Sequence, residues 1–333
     1  PVAAAPVMIA ANDNAPGQSV PVRAGPVRLG MPIRCTIGDD CDIQQFVDTD
    51  PGPGAADFMC GHQSYNDHRG VDFRLRNLAV MQAGVPVIAA MDGTVRATRD
   101  GMEDVDITTL PAGAVSGREC GNAVVLVHPD GWETQYCHMR RGSVSVSRGQ
   151  QVRRGEALGL VGMSGKAQFP HVHLTVRKDG QVIDPYRGLR PQTACGGTYS
   201  DLWDPAVRAQ VAYNAGGILD AGFFDNRLSP EQAESGRAAI RDMSVNAPAI
   251  VLWVRTFGIR QGDVLRFRIV APDGSEFFTE TADPHPKDQA QTFRFAGRSN
   301  SRQIIRPGTY RGTVELIRQG RVHDRAEATV TAR

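Results

Sequence analysis

The chain contains the pentapeptide Pro170-His171-Val172-His173-Leu174, inside an apolar run that extends from Phe169 to Val176. Successive side chains of a β-strand point to opposite faces, so an extended conformation places His171 and His173 on the same face, about 6–7 Å apart. Two imidazoles at this spacing can serve one centre, one as a metal ligand and the other as an acid or base. Two half-buried histidines bonded to backbone groups would show the same pattern, so the interpretation depends on other segments.

A second group of candidate ligands lies upstream, in the pentapeptide His68-Arg69-Gly70-Val71-Asp72. A spacing of four residues puts His68 and Asp72 on one face of either a strand or a helix. The glycine and the β-branched valine between them favour a strand or a loop. One histidine and one aspartate, together with a histidine from the 171/173 pair, would supply three ligands. Catalytic zinc sites use this number of protein ligands and keep a fourth position for water.

A third segment with a histidine is Tyr136-Cys137-His138-Met139, at the end of another apolar strand. Three strands that each carry His or Asp are hard to explain as core packing. Further on, Gly162-Met163-Ser164-Gly165 precedes the 169–176 run. In this order the motifs resemble those of the lysostaphin/LytM-type zinc endopeptidases, which hydrolyse peptide bonds in bacterial peptidoglycan. The resemblance covers about residues 60–186 of the chain.

The resemblance implies a division of roles among five side chains. It assigns His68, Asp72 and His173 as zinc ligands, and it favours His171 as the base, assisted by His138. Two neutral imidazoles and one carboxylate leave a zinc ion with net positive charge, which polarises a water and the scissile carbonyl. Two alternatives stay open: His171 as ligand with His173 as base, and Asp72 as an outer partner that orients a ligand histidine.

Asn122 and Tyr136 are candidates for hydrogen bonds to the substrate, with structural roles as the alternative. Other hydrolase signatures are missing from the sequence. It contains no HExxH motif, which excludes the helix-borne arrangement of many zinc peptidases. Ser164 lacks the elbow motif of a serine nucleophile, and it fits a turn before the 169–176 strand better.

The pattern of apolar residues predicts a mainly β protein, and 333 residues are enough for two domains. Short alternating segments between turn residues fill 68–176 without helix-length periodicity, which predicts an antiparallel sheet. The segment 100–119 is expected to be a surface insertion beside the substrate groove. The expected strands are Val71–Arg74, Pro86–Ala90, Gly93–Thr98, Ala123–His128, Glu133–His138, Gln151–Val152, Ala157–Val161 and His171–Arg177.

We divide the chain into four parts. These are a flexible lead (1–30), a zinc metallopeptidase domain that begins with a disulfide-tied segment (31–190), a linker with a helix (191–245), and an immunoglobulin-like β-sandwich (246–333). The helix is expected to start after a capping serine, Ser229, and to run to about residue 242. The sandwich carries no catalytic constellation, so we interpret it as a binding or spacing module that could take an envelope protein as partner. Its expected strands are Ile250–Val254, Val264–Ile269, Gln291–Phe295, Gly308–Ile317 and Ala326–Val330.

Six cysteines, at positions 35, 41, 60, 120, 137 and 195, form no CxxC zinc pattern. An even number indicates three disulfides in an exported protein and free thiols in a cytosolic one. We favour export, to the periplasm or the cell exterior, with the pairs Cys35–Cys41, Cys60–Cys195 and Cys120–Cys137. The apolar segment 1–11 lacks the positively charged start of an intact signal peptide, and it could be the end left by removal of one.

The net charge of +1 gives no overall field that argues for nucleic acid, and no apolar run is long enough to span a bilayer. The leading hypothesis is therefore a zinc-dependent endopeptidase that cleaves crosslink peptides of peptidoglycan. The resemblance implies D-alanyl–diaminopimelate crosslinks in a Gram-negative envelope, which we favour, or glycine-rich bridges in a Gram-positive target. The alternatives are a non-catalytic envelope module that binds peptidoglycan or regulates a partner wall hydrolase, and a zinc peptidase that acts on proteins.

Overall fold

A computed structural model of the protein describes residues 27–189 and 201–333. Most of the predicted N-terminal lead lies outside the described residues. So does Cys195, and the expected Cys60–Cys195 bond therefore stays a prediction. Within the described ranges the chain forms four β-sheets and two short α-helices, so the prediction of a mainly β protein is confirmed.

The elements before the gap form the larger sheet, a two-stranded sheet and one helix. They are β1 (Cys41–Gln45), β2 (Val71–Leu75), α1 (Leu78–Ala83), β3 (Pro86–Ile88), β4 (Gly93–Arg99), β5 (Asn122–Val127), β6 (Trp132–Met139), β7 (Gln151–Val152), β8 (Ala157–Leu160), β9 (His171–Lys178) and β10 (Gln181–Val182). Two 3-10 turns lie at Ile107–Thr109 and Pro129–Gly131.

The elements after the gap form two further sheets and one helix. They are β11 (Gly217–Phe224), α2 (Pro230–Glu234), β12 (Asp242–Met243), β13 (Ala249–Ile259), β14 (Val264–Val270), β15 (Glu276–Thr281), β16 (Gln289–Ser299), β17 (Gly308–Arg318) and β18 (Arg321–Ala332).

The larger sheet has the strand order β1-β2-β9-β6-β5-β4-β7, with β10 paired to the end of β9. Neighbouring strands in it are antiparallel, as the alternating pattern predicts. Strand β9, which carries both histidines of the first motif, lies between β2 and β6. This order brings the three histidine-bearing segments together at the middle of the sheet.

Alternation separates the core face of this sheet from its polar face. Val71, Phe73 and Leu75 on β2 and the apolar residues of β9 are fully buried in one hydrophobic cluster. Burying each such side chain stabilises the fold by roughly 1.5–3 kcal/mol. The residues between them, Asp72 on β2 and His173 on β9, therefore point to the opposite face, where they sit directly across from each other in the ladder.

Three elements of this half were not predicted: β1, α1 and the two-residue strand β10. The segment expected to be an irregular, disulfide-tied collar contains β1, which extends the sheet by pairing with β2. A six-residue helix, α1, interrupts the strands, because the Asn77 side chain accepts a hydrogen bond from the Val80 amide and caps the first turn. The eight expected strands are confirmed, with ends that shift by one or two residues.

The C-terminal half consists of a three-stranded sheet, β11-β13-β16, and a five-stranded sheet, β12-β18-β17-β14-β15. Side chains from both sheets form one buried cluster, which includes Phe223, Leu252, Phe267, Leu316 and Val330. The five expected strands are present and are longer than predicted, and β15 was not foreseen. Classification of this unit as immunoglobulin-like stays a prediction.

The segment 201–245 is more ordered than the linker that we predicted. It contains β11, whose residues pair with β13 and pack into the C-terminal core. The capping box at Ser229 forms as expected, but the helix ends at Glu234 and not near residue 242. Gly236 has φ +73°, a left-handed conformation that stops the helix.

Two of the three predicted disulfides are confirmed, Cys35–Cys41 and Cys120–Cys137. The first closes the loop before β1, and the second joins the residues before β5 to β6. No helix within 27–189 or 201–333 has the length and apolar character that crossing a membrane requires.

Candidate metal centre

Three side chains from β2, β9 and the loop before β2 converge on one point. His68 Nε2 lies 3.2 Å from Asp72 Oδ1 and 3.1 Å from His173 Nδ1. His173 Nδ1 lies 2.8 Å from the same carboxylate oxygen. Two imidazoles and one carboxylate at these separations could hold a metal ion. Within the described residues, one other group brings three possible ligand atoms this close together. Its two cysteines, Cys35 and Cys41, form a disulfide.

Outer hydrogen bonds fix which nitrogen of each histidine faces this point. His68 Nδ1 is 2.6 Å from the carbonyl oxygen of Phe46, and a carbonyl only accepts, so Nδ1 carries the proton and Nε2 presents a lone pair. His173 Nε2 is 3.0 Å from the hydroxyl oxygen of Thr175, which can accept its proton and leave a lone pair on Nδ1. Both histidines thus offer unprotonated nitrogens to a common centre.

A glycine makes the close approach of these strands possible. A Cβ at Gly70 would lie 2.4 Å from His173 Nε2 and 2.6 Å from the Leu174 carbonyl oxygen. Any side chain there would push β9 and its histidine away from His68. The spacing His68-x-Gly70-x-Asp72 therefore has a steric reason as well as a chemical one.

The electrostatics of the group follow from its burial, since His68 and Asp72 are each 2% exposed. Burial disfavours a charged His68, but attraction to Asp72 and the hydrogen bond between them outweigh burial and raise the pKa of His68. Burial also opposes a charged Asp72, yet the neighbouring His68 and His171 hold the pKa of this carboxyl well below its usual range. Burial lowers the pKa of His173. The carboxylate therefore stays ionised, as a metal ligand must.

His171 and His138 lie beside this group. His171 Nε2 is 3.8 Å from Asp72 Oδ1, and its Nδ1 is 2.9 Å from the Phe169 carbonyl oxygen. His138 Nδ1 is 2.7 Å from the Ser164 carbonyl oxygen, and the ring centroids of His138 and His171 are 4.5 Å apart. Burial lowers the pKa of His171, and burial together with the neighbouring histidines lowers the pKa of His138 far below its ordinary value. In each neutral ring Nδ1 donates to a backbone carbonyl, so Nε2 presents a lone pair that can take a proton.

The orientation of His138 departs from regular strand alternation. Cys137 pairs with His173, so Cys137 and not His138 should point to the metal face. However, Cys137 and His138 together oppose a single residue of β5 at a β-bulge, and His138 has φ +60°. The extra residue turns the His138 side chain toward the site.

A groove of about 490 Å³ opens over the group, with His68, His138 and His173 at its base. Glu119, the last residue of the predicted insertion, and the adjacent Cys120 are among the lining residues. The half-exposed ring of Tyr65 packs against His68, with the ring centroids 4.4 Å apart. Other lining residues include Lys166, Thr175 and Arg177.

The structure does not bring Asn122 and Tyr136 to this groove. Both are fully buried. The Asn122 side chain accepts a hydrogen bond from the Met102 amide and donates to the Met139 carbonyl. The Tyr136 hydroxyl accepts from the Ala90 amide. These polar side chains satisfy buried backbone groups and are not among the groove-lining residues.

Sequence reasoning missed the groups that orient the histidines. These are Thr175, which lies two residues beyond His173, and the carbonyl oxygens of Phe46, Phe169 and Ser164. Thr175 shares the face of His171 and His173 by the same alternation, so the pattern could have included it. Backbone carbonyls carry no residue signature and become visible only in the fold.

Comparison with known proteins gives a family match for the region that holds the site. Residues 66–185 match the model of peptidase family M23. An uncharacterized metalloprotease of Haemophilus influenzae is 30% identical over 145 residues, which are 44% of this chain and 26% of the relative. The DD-carboxypeptidase/endopeptidase Mpg of Neisseria meningitidis is 36% identical over 120 residues, 35% of this chain and 22% of the relative.

Peptidoglycan DD-endopeptidase ShyA of Vibrio cholerae is 28% identical over 127 residues, which are 38% of this chain and 24% of the relative. The chain thus spans about a quarter of the length of the curated relatives that it matches. The matched region holds β2 to β10 and all five histidine and aspartate side chains described above. The resemblance to the LytM-type peptidases seen in the sequence is confirmed: residues 66–185 are similar to peptidase family M23.

Proposed function

We propose that the protein is a zinc-dependent endopeptidase that hydrolyses crosslink peptides of peptidoglycan outside the cytoplasm. One observation carries the proposal: His68 Nε2, Asp72 Oδ1 and His173 Nδ1 lie within 3.2 Å of one another at the base of a groove. The M23 match and the relatives named as peptidoglycan endopeptidases support the reaction class.

The residues present fit a zinc ion. Ligands about 2.0–2.1 Å from zinc in a tetrahedral arrangement lie roughly 3.3 Å from one another, and the three donor atoms are 2.8–3.2 Å apart. The hydrogen bonds on the far side of each imidazole leave two nitrogen lone pairs and the Asp72 carboxylate facing one point. These electron-rich groups repel one another unless a cation lies between them. Zinc held there would supply Lewis-acid activation of a water and of the scissile carbonyl.

The chain's own residues would handle the protons. His171 is held by the Phe169 carbonyl and presents Nε2 toward Asp72, so it can accept a proton from the attacking water. His138 donates its Nδ1–H to the Ser164 carbonyl, so its Nε2 can hydrogen-bond to the developing oxyanion or pass a proton to the leaving amine once it has itself taken up a proton. Burial lowers the pKa of both imidazoles and thereby favours their neutral forms, whose Nε2 lone pairs can accept a proton.

For the bond cleaved, we propose the D-alanyl–diaminopimelate crosslink. Support comes from the relatives, of which ShyA is named a peptidoglycan DD-endopeptidase and Mpg a DD-carboxypeptidase/endopeptidase. Among the groove-lining residues, Lys166 offers a cationic side chain, whereas Arg177 already pairs with Glu133 at 2.9 Å and Glu119 adds a negative charge. Diaminopimelate peptides carry carboxylates next to the scissile amide, whereas glycine bridges do not.

The test is mass spectrometry of the peptides released from purified sacculi with diaminopimelate crosslinks and from sacculi with glycine bridges. The full chain is compared as zinc-loaded wild type, chelator-stripped wild type, His171→Ala and, as a matched control, His62→Ala, whose side chain is 66% exposed. We expect crosslinked dimers to become monomers only with loaded wild type and the control, and only on the first substrate. Intact dimers with loaded wild type would contradict the proposed function.

A further inference from the structure

The Cys120–Cys137 disulfide lies directly beside the bulge that turns His138 toward the site. Cys137 precedes His138, and both Cys120 and Cys137 line the groove. The other confirmed disulfide, Cys35–Cys41, lies in the loop before β1, away from these groove-lining residues. The two bonds therefore form a natural pair for comparison.

The bulge is needed because regular pairing would send His138 to the wrong face. In the ladder Tyr136 pairs with Leu174 and Cys137 pairs with His173, so the next side chain would point into the core. His138 reaches the site only through φ +60°, a left-handed conformation that non-glycine residues rarely adopt. Such a conformation persists where the surrounding structure imposes it.

Cys120 supplies two of the restraints that hold His138 in this left-handed conformation. Its sulfur is bonded to Cys137, and its carbonyl oxygen accepts a hydrogen bond of 2.8 Å from the His138 amide. On the other side, the His138 carbonyl accepts from the Gly162 amide at 3.0 Å, and the ring donates to the Ser164 carbonyl. Residue 120 thus restrains the bulge on the side of β5, and the 162–164 segment restrains it on the opposite side.

We propose that the Cys120–Cys137 disulfide is a positioning element for His138: it holds the bulge in the conformation that aims this imidazole at the substrate. The inference rests on the proposed function, because it assigns the bond a role in turnover beyond fold stability. Neither cysteine is a catalytic residue, since each acts through His138.

The experiment compares Cys120→Ser/Cys137→Ser with Cys35→Ser/Cys41→Ser in the full chain, with and without His138→Ala. Positioned acid–base groups contribute about 10²–10⁴-fold to rate, so we expect the first pair to lower kcat by about 10- to 100-fold. We expect KM, zinc content and melting temperature to match those of the control pair. When Cys120 and Cys137 are already replaced, adding His138→Ala should lower kcat only a little further. When Cys35 and Cys41 are replaced instead, His138→Ala should lower kcat as much as it does in wild type.

A second readout does not depend on turnover. In ¹⁵N-histidine NMR spectra, the Nδ1–H of His138, which donates to the Ser164 carbonyl, should shift or broaden in the first pair and stay unchanged in the control. Wild-type turnover is measured in parallel. An inactive wild type would contradict the proposed function, whereas an active wild type matched by the first pair would overturn this inference alone.

Additive losses in the cycle with His138→Ala would also overturn it, because independent effects add. If the serine pair does not fold, Cys120→Ala/Cys137→Val, which fills the space of the sulfurs with apolar atoms, replaces it. Failure of both pairs to fold would assign the bond to folding and would exclude the positioning role.

Discussion

Arg74 on β2 and Glu234 on α2 form an ion pair, with 3.3 Å between Arg74 Nη2 and Glu234 Oε2, that joins the peptidase sheet to the C-terminal half. The Arg74 side chain is completely buried and also donates to Gln291 of β16 at 2.7 Å. Arg255 of β13 contacts Glu234 as well, and it pairs with Asp220 at 2.8 Å. The C-terminal half is therefore docked on the domain through buried charges, and is not a freely tethered module.

We predict that Glu234→Gln destabilises the full chain. Removing the Glu234 charge leaves the buried Arg74 without its paired carboxylate and leaves Arg255 with Asp220 alone, and glutamine can restore only part of the hydrogen bonding. The expected loss is roughly 1–3 kcal/mol in the free energy of unfolding, measured by chemical denaturation. Glu276→Gln is the matched control, because its pair with Arg268 is solvent-exposed. Equal stabilities of the two variants would contradict the docking role.

The metal should contribute to stability. Zinc binds the folded site and not the dispersed ligands of the unfolded chain, so loading should raise the melting temperature and chelation should lower it. We expect about one zinc ion per chain in wild type and little in His173→Ala or Asp72→Ala. The measurement is atomic emission on dialysed protein with a melting curve of each sample. Normal zinc content in both variants would exclude the proposed ligand set.

Thr175 should tune metal affinity without binding the metal. Its hydroxyl oxygen, 3.0 Å from His173 Nε2, can fix the orientation and tautomer of that ring. Thr175→Val keeps the shape and removes the acceptor, so zinc affinity should fall by about 10- to 100-fold. Competition with a chromophoric chelator measures it. Thr98→Val, an exposed change on β4 of the same sheet, should leave affinity unchanged; an equal fall there would point to a general effect on the sheet.

A buried carboxyl at the end of the domain should make stability depend on pH. Burial raises the pKa of Asp184 to about 7. Its Oδ1 accepts from the Tyr186 amide, and its Oδ2 has no partner among the described residues. A raised pKa means that the folded state holds the proton more tightly than the unfolded state does. Stability from this group is thus fully present below the unfolded value of 3.8 and is lost as pH rises through about 7.

Asp184→Asn keeps the acceptor and removes the ionisation. It should therefore stabilise the chain at pH 8 by roughly 1–4 kcal/mol relative to wild type, with a smaller difference at pH 5. Denaturant melts at the two pH values measure this. The exposed Asp283→Asn should show no such difference between the two pH values. If the free energies of unfolding of wild type and Asp184→Asn differ by the same amount at both pH values, titration of this carboxyl is excluded as the cause.

The centre of the sheet could be predicted from sequence because one rule governs it. Alternation over β2 and β9 puts Asp72, His171 and His173 on the face opposite Phe73 and Leu174. The same rule places His138 on the wrong face, because the rule assumes regular pairing. The β-bulge has no residue signature and depends on the register with β5. Local rules work where the chain is regular and fail where tertiary contacts impose an exception.

Other differences have the same origin. Strand β11 and the early end of α2 arise from packing against β13 and from the left-handed Gly236, neither of which the composition of 201–245 indicates. Polarity and closeness to the motifs predict substrate contacts for Asn122 and Tyr136. The fold instead uses their side chains on buried backbone groups.

The bulge at His138 makes the proposed activity depend on the redox state of the compartment, because a disulfide holds the bulge in place. Reducing compartments keep cysteines as thiols, and oxidising ones let disulfides form. A chain with Cys120 and Cys137 still reduced would contain every proposed ligand and yet lack a fixed position for His138, so its kcat should stay about 10- to 100-fold lower until oxidation, which a refolding assay can follow. Under the proposed function, passage from a reducing to an oxidising compartment would then bring the enzyme to its full rate.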